Sequence, residues 1–405
     1  MDFYKNSRKW LNGCVLLLGL LTLTLARKEA AAMDVKTKTI LFATDLHYLS
    51  PSLTDYGPIF QTLMEKGDGK LTEYGKEIME GLIAAAKENH AEALVLAGDI
   101  TFNGEYQSLL DLKEMFAQAE KEGLRVLLIP GNHDIAYPYA CEYRQDKAKR
   151  VAAVSQKEFR ELMGDFGYEE ATLKDGSSFS YVYPLSEKDW LLFLDANTEK
   201  APGKVSDATL FWLRDALEEA KDKRVTIICH QNLLPHSSFM SAGFVLGNAS
   251  QVENLVRSFG VTLALTGHSH LQDTVQKEGL TDICTESASV APLRYALLTF
   301  PEDGEVLYEK KDLPIRQKEA KERFFQVVGM QVRKSLEKKN LTETELNALV
   351  SFAQDVNLAY FSGYLDDTSI RTLKAGARWK LWGQKAKDTF WYIYMASYLV
   401  EQAAP

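Results

Sequence analysis

Five short apolar runs, each closed by residues of the kind that bind metal ions, constrain this chain more than any other feature. The runs are Thr39 to Ala43, Ala93 to Ala97, Val126 to Ile129, Val225 to Cys229 and Val261 to Leu265. Each has four or five residues, is rich in Val, Ile and Leu, and shows no polar alternation. Such runs predict strands buried on both faces. Helical periodicity fills the gaps at Leu71 to Lys87, Tyr106 to Glu122, Asp207 to Ala220 and Gln251 to Phe259. In the third of these, Leu210, Leu213 and Leu217 fall on one stripe. The alternation predicts an α/β core with helices outside a mainly parallel sheet. Residues 178–197 read as two further strands around a polar turn, Ser186 to Asp189.

Beyond residue 312 the pattern changes. Phe325, Val328, Val332 and Leu336 mark one amphipathic helix, and Thr342 with Glu345 has the spacing of a capping box ahead of a second. A third helix is expected over Ala386 to Val400, and no apolar strand run occurs after 312. We therefore expect a small all-α C-terminal domain over 313–405, after a catalytic domain over 33–312. At the other end, Lys5, Arg8 and Lys9 precede the apolar run Val15 to Ala26, with small residues at Ala30 to Ala32. Residues 1–32 read as a signal peptide or an uncleaved N-terminal anchor. The expectation is an exported protein, secreted or held on the outer face of the cell membrane, with membrane contact only through that segment. A net charge of −9 argues against a duplex nucleic-acid partner. Four scattered cysteines make no disulfide framework.

The residues that close the apolar runs carry the chemistry. Asp45-Leu46-His47 comes after the first, Gly98-Asp99 after the second, and Gly131-Asn132-His133-Asp134 after the third; His230 ends the fourth, and Gly267-His268-Ser269-His270 comes after the fifth. Open α/β sheets bind ligands at these C-terminal strand ends. In an extended segment residues i and i+2 share a side, so Asp45 with His47, and His268 with His270, are each expected to converge. Five of the seven histidines lie in these motifs. Together with the aspartates and the asparagine they exceed what one tetrahedral ion needs, which suits two ions held by mixed N and O donors.

The order DxH, GDxxxxG, GNHD, lone His, GHxH resembles that of the calcineurin-like metallophosphoesterases, over roughly residues 38 to 300. The resemblance implies a pair of facing sheets flanked by helices. It also implies two divalent or mixed-valence metal ions, Mn, Fe or Zn. One ion would be held by Asp45, His47, Asp99 and His270, the other by Asp99, Asn132, His230 and His268, with Asp99 bridging. His133 would stand on the leaving-group side and Asp134 would orient it. Two cations roughly 3.5–4 Å apart clamp a phosphoryl group and supply a hydroxide nucleophile near neutral pH.

Within the family, Phe102 and Asn103 stand where protein phosphatases carry an Asp-Arg pair, and Phe102 also fills the place of the iron-binding tyrosine of purple acid phosphatases. The segments GDITFNGE (98–105), GNHD, DLHYLS and HQNLLPH (230–236), with the helical tail, resemble class III cyclic-nucleotide phosphodiesterases and an exported group of them from Gram-positive bacteria. The implied substrate is a small phosphodiester, with a cyclic nucleotide of the cAMP type as the finer expectation. The alternatives are a secreted phosphomonoesterase or nucleotidase with the same site, and a non-catalytic envelope binding protein. The residues name no protein partner for the helical domain. His236 is expected as an exposed loop residue, with a place in the substrate pocket as the alternative, and Tyr48 as either a stacking platform or a core side chain.

Overall fold

The structure, a computed structural model, describes residues 37–400. The N-terminal segment read as a signal peptide or anchor lies outside the described residues. Among those described, no helix is long and apolar enough to cross a membrane.

The apolar runs become the central strands of two sheets. The first sheet has five strands in the order Leu307–Asp312, Arg294–Phe300, Lys38–Ala43, Ala93–Ala97, Arg125–Ile129. The last three are parallel, with Ile40 opposite Ala93 and Ala93 opposite Arg125; the two strands at the other edge are antiparallel. The second sheet has seven strands, in the order Asp273–Lys277, Leu280–Cys284, Leu263–Thr266, Arg224–Cys229, Asp189–Leu194, Tyr181–Pro184, Leu173–Lys174. Its four central strands, from Leu280–Cys284 to Asp189–Leu194, are parallel. A single mainly parallel sheet is thus replaced by two mixed sheets, as the family resemblance implies.

Side-chain alternation explains why two sheets form. Along Asp189–Leu194, Leu191 and Phe193 join the core shared with Phe42, Leu96 and Leu127 of the first sheet. Leu192 and Leu194 point the other way, into a second core with Leu213, Leu217, Val252 and Val256 of the helices Asp207–Glu219 and Ala249–Ser258. A strand with period 2 and apolar residues at every position must bury both faces. The layers are therefore helix, sheet, sheet, helix. Tyr181 ties the sheets together, its hydroxyl donating to the Leu128 carbonyl at 3.0 Å.

After the strand Leu307–Asp312 the chain is helical: Gln317–Leu336, Glu343–Phe361, Asp367–Ala375, Ala377–Lys385 and Phe390–Tyr398. The expected capping box is present, with Thr342 and Glu345 exchanging side-chain and backbone hydrogen bonds. The expected third helix over 386–400 is corrected: it starts at Phe390, capped by Thr389, and two helices not foreseen precede it. Of the aromatic residues on the last two helices, Trp382 and Trp391 are buried and Trp379, Tyr392, Tyr394 and Tyr398 pack against the core. Trp382 is wholly buried, and its indole N–H donates to the Leu349 carbonyl. Phe324, Val328 and Val332 pack in the same continuous core as the first sheet. Arg294, itself buried, joins the two regions: it faces the buried Glu286 at 2.9 Å and donates to the Ser362 carbonyl and the Tyr364 hydroxyl.

Candidate dinuclear metal centre

The ligand-type residues do leave their strands at the C-terminal ends, but not in extended conformation. Asp45, His47, Asp99, His268 and His270 all have positive φ, between 48° and 65°. That region is sparsely used by non-glycine residues, costs roughly 1–3 kcal/mol at each, and persists only where surroundings enforce it. The enforcement is visible. The Asp45 and His47 amides donate to the carbonyls of Gly98 and Asp99, at 3.1 and 2.9 Å. The His268 amide donates to Asp45 Oδ2 at 2.9 Å, and the His133 amide to Asp99 Oδ1 at 2.8 Å. Each loop is thus pinned by a ligand residue of another. Two glycines make room for this. A Cβ at Gly131 would lie 2.2 Å from the Asp99 amide, and one at Gly267 would lie 2.1 Å from Thr44 Oγ1.

Three ligand-type clusters result: Asp45, His47 and His270; Asp99, His230 and His268; and His47, Asp99 and His133. The i, i+2 expectation is therefore half right. Asp45 and His47 converge, with Nε2 of His47 3.8 Å from Asp45 Oδ1. His268 and His270 diverge, one to each of the first two clusters, because the left-handed turns break the strand periodicity. Asn132 joins the second cluster, its Oδ1 3.2 Å from His230 Nε2. Asp99 lies between them, with Oδ1 3.3 Å from His230 Nε2 and Oδ2 3.8 Å from His47 Nε2.

The residues fit two cations. Asp45 Oδ1 is buried without a hydrogen-bond partner, whereas Oδ2 is fixed by Thr44 and the His268 amide. Around Oδ1 stand Nε2 of His270 at 3.3 Å and Nε2 of His47, which are themselves 3.3 Å apart. Buried polar atoms left facing one another in this way need a positive charge between them. The tautomers agree with that reading. His230 Nδ1 faces the Ala97 carbonyl at 2.8 Å, which can only accept, so Nε2 keeps its lone pair when the ring is neutral. His268 Nε2 faces the Gly243 carbonyl at 2.8 Å, leaving Nδ1 as its ligand atom.

The electrostatics point the same way. Burial drives the Asp99 carboxyl upward, but His230, His133 and His47 outweigh it and hold the group well below the usual carboxylate range. Burial, then the neighbouring Lys70 ammonium, pushes His47 well down, and burial with His230 takes His268 down to about 4. Burial works against a charged His230, yet Asp99 and Asp45 pull it up to about 9. A cation at this spot takes the place of that proton, which is the usual exchange on metal binding.

His133 sits at the rim of the centre, with Nε2 4.0 Å from Asp99 Oδ2. Its Nδ1 faces the Phe102 carbonyl at 2.9 Å and Asn103 Oδ1 at 3.1 Å. The expected role of Asp134 is corrected here. Its carboxylate does not meet the His133 ring; it accepts from the amides of Gly131, Ile100 and Thr101 and from the Thr101 hydroxyl. Asp134 shapes the loop, and Phe102 with Asn103 orients the imidazole. Sequence reasoning missed Asn103 in this role, as well as Lys70 and Tyr137, whose ring stacks on His133 at 4.3 Å. The only available signal was Asn103 standing where relatives carry arginine. His236 is also corrected. Its side chain is buried and lies between Asp273 at 2.9 Å and Asp282 at 3.5 Å, which raise it to about 9 against the effect of burial. Tyr48 is core, with its hydroxyl on Asp111.

Residues 38–272 match the family model of calcineurin-like phosphoesterases. That is more than half of the chain, which belongs to this family and is a metal-dependent phosphoesterase with a dinuclear centre. Within that class, residues 308–404 match the model of the C-terminal domain of cyclic nucleotide phosphodiesterase. No curated protein matches the chain. Partly similar solved structures include a dimetal phosphatase from Danio rerio, at 14% identity over 68% of this chain and 96% of that one, with a TM-score of 0.49. A purple acid phosphatase from yellow lupin seeds has 11% identity over 70% of this chain and 52% of its own, with a TM-score of 0.46.

Proposed function

We propose that this protein hydrolyses small phosphodiesters, cyclic nucleotides being the favoured class, and that it works outside the cell. The observation that carries the reading is Asp99, set between two N/O clusters with the His133 imidazole at their shared edge. Two bound cations, for which Mn, Fe or Zn suit these donors, supply Lewis-acid charge to the phosphoryl group and acidify the attacking water. The protein supplies the rest. Asp45, His47 and His270 hold one cation; His230, His268 and Asn132 hold the other; and Asp99 holds both. His133 keeps its Nδ1 proton on the Phe102 carbonyl, so Nε2 is the atom that takes up a second proton from solvent and, from the imidazolium, passes it to the departing oxygen. The match of residues 308–404 to a cyclic nucleotide phosphodiesterase domain supports the diester over the monoester. The basic and apolar N-terminal segment supports export.

The test compares hydrolysis of bis-p-nitrophenyl phosphate, p-nitrophenyl phosphate and 3′,5′-cyclic AMP by Mn-loaded protein. The expected result is preference for the diester, with cyclic AMP opened to a monophosphate. Preference for the monoester would replace this reading with a scavenging phosphomonoesterase. No turnover of any phosphoester would leave a binding protein on this scaffold.

A further inference from the structure

We infer that the cavity beside His133 is a subsite for a heteroaromatic base, and that Lys70 grips the phosphate between that base and the metal centre. The inference rests on the phosphodiester reading and names what the diester carries.

The cavity has a volume of about 520 Å³ and its walls include Lys70, His133, Tyr137, Tyr139 and Tyr143. That size suits a small organic molecule. His133 belongs both to this wall and to the metal centre, where its Nε2 faces Asp99. A phosphoryl group at the metals therefore presents one of its substituents to the cavity.

The rings here divide into two sets. Phe102 and Tyr143 are buried, and belong to a small core with Leu49, Leu53, Phe60 and Met64. Tyr137 and Tyr139 do not. Tyr137 stacks on the His133 ring with a tilt of 20°. Tyr139 stands 5.8 Å further out and is 60% exposed. Core packing accounts for the first set but not for the second, where the Arg150 guanidinium lies 5.1 Å from the centre of the Tyr139 ring. The two tyrosine rings stand at 63° to one another, so a base stacks on one of them, the exposed Tyr139, and any base can do so because each offers a π-face.

Lys70 supplies the charge. Of the residues lining the cavity it alone carries a fixed positive charge. Its side chain is 11% exposed, with the ammonium 3.0 Å from Asp68 and 6.0 Å from the centre of the Phe102 ring. Asp68 is 51% exposed, and an ion pair with so solvated a partner is easily exchanged for a phosphate. Asn103, the neutral motif residue of this wall, offers no charge, and Lys70 brings a cation to it from a different loop.

The test is calorimetric binding of adenosine 5′-monophosphate and ribose 5-phosphate to the metal-loaded full chain. Wild type should bind the nucleotide about 10-fold more tightly, the gain of one stacked base. Tyr139→Ala, at an exposed position, should remove most of that ratio and leave ribose 5-phosphate affinity unchanged. Lys70→Met keeps the aliphatic stem and should weaken both ligands by a common factor of about 10. Equal affinities in wild type, or a ratio untouched by Tyr139→Ala and by Tyr137→Leu, would overturn the base subsite. Unchanged affinities in Lys70→Met would overturn the role of Lys70. Base preference in a protein that cleaves no diester faults the proposed function and spares the subsite; diester cleavage without base preference does the reverse.

Discussion

Asp99→Ala lowers diester turnover by on the order of 10³-fold or more and strips metal from the protein. Asp99 faces both clusters: Oδ1 lies 3.3 Å from His230 and Oδ2 3.8 Å from His47. Removing it takes one anion from each cation and leaves His47 and His230 with Asp45 as their remaining counter-charge. Asp99→Asn separates this from collapse of the loop. The amide retains an oxygen for the His133 N–H, now 2.8 Å from Oδ1, but not the charge. Both variants are followed by turnover and by elemental analysis of bound metal. Asp99→Asn with full metal and full turnover would remove Asp99 from the centre.

His133→Ala is expected to lower turnover by about 10²–10⁴-fold while two metals remain bound. The loss should depend on the leaving group. A nitrophenolate departs without a proton, so bis-p-nitrophenyl phosphate should suffer least and a cyclic nucleotide, which expels an alkoxide, most. Equal losses on both substrates would make His133 a positioning donor only. His133 also falls in a cluster with His47 and Asp99 that could hold an ion. Metal lost from His133→Ala would make it a ligand and overturn its placement on the leaving-group side.

Most of the scaffold was legible because buried parallel strands are written as uninterrupted apolar runs. Ala93–Ala97 appears with the expected bounds, and the run read from Val261 shifts to Leu263–Thr266. The edge strands were not legible. Asp273–Lys277 and Leu307–Asp312 read DTVQK and LYEKKD, since an edge facing water needs charge rather than hydrophobicity. Helices were clearest where they were long, as at Glu343–Phe361, and the short helices Asp367–Ala375 and Ala377–Lys385 were missed, although Asp366 caps the first.

The candidate site was legible as a set of residues and illegible as geometry. The five strand ends announced which side chains meet. They did not announce the left-handed backbone that sends His268 and His270 to different clusters. Nor could spacing show that Asp134 is taken up by the amides of its own loop and of 100–101. Lys70 and Tyr139 belong to no motif, and only tertiary folding brings them to the His133 cavity.

The most direct measurement is a metal titration of the metal-free protein, with bis-p-nitrophenyl phosphate hydrolysis monitored at each addition. Activity should remain near zero until the first equivalent is bound and rise to a plateau at the second, because Asp99 and His133 serve a phosphate held by both ions. A plateau at one equivalent, or hydrolysis by the metal-free chain, would contradict a dinuclear phosphodiesterase.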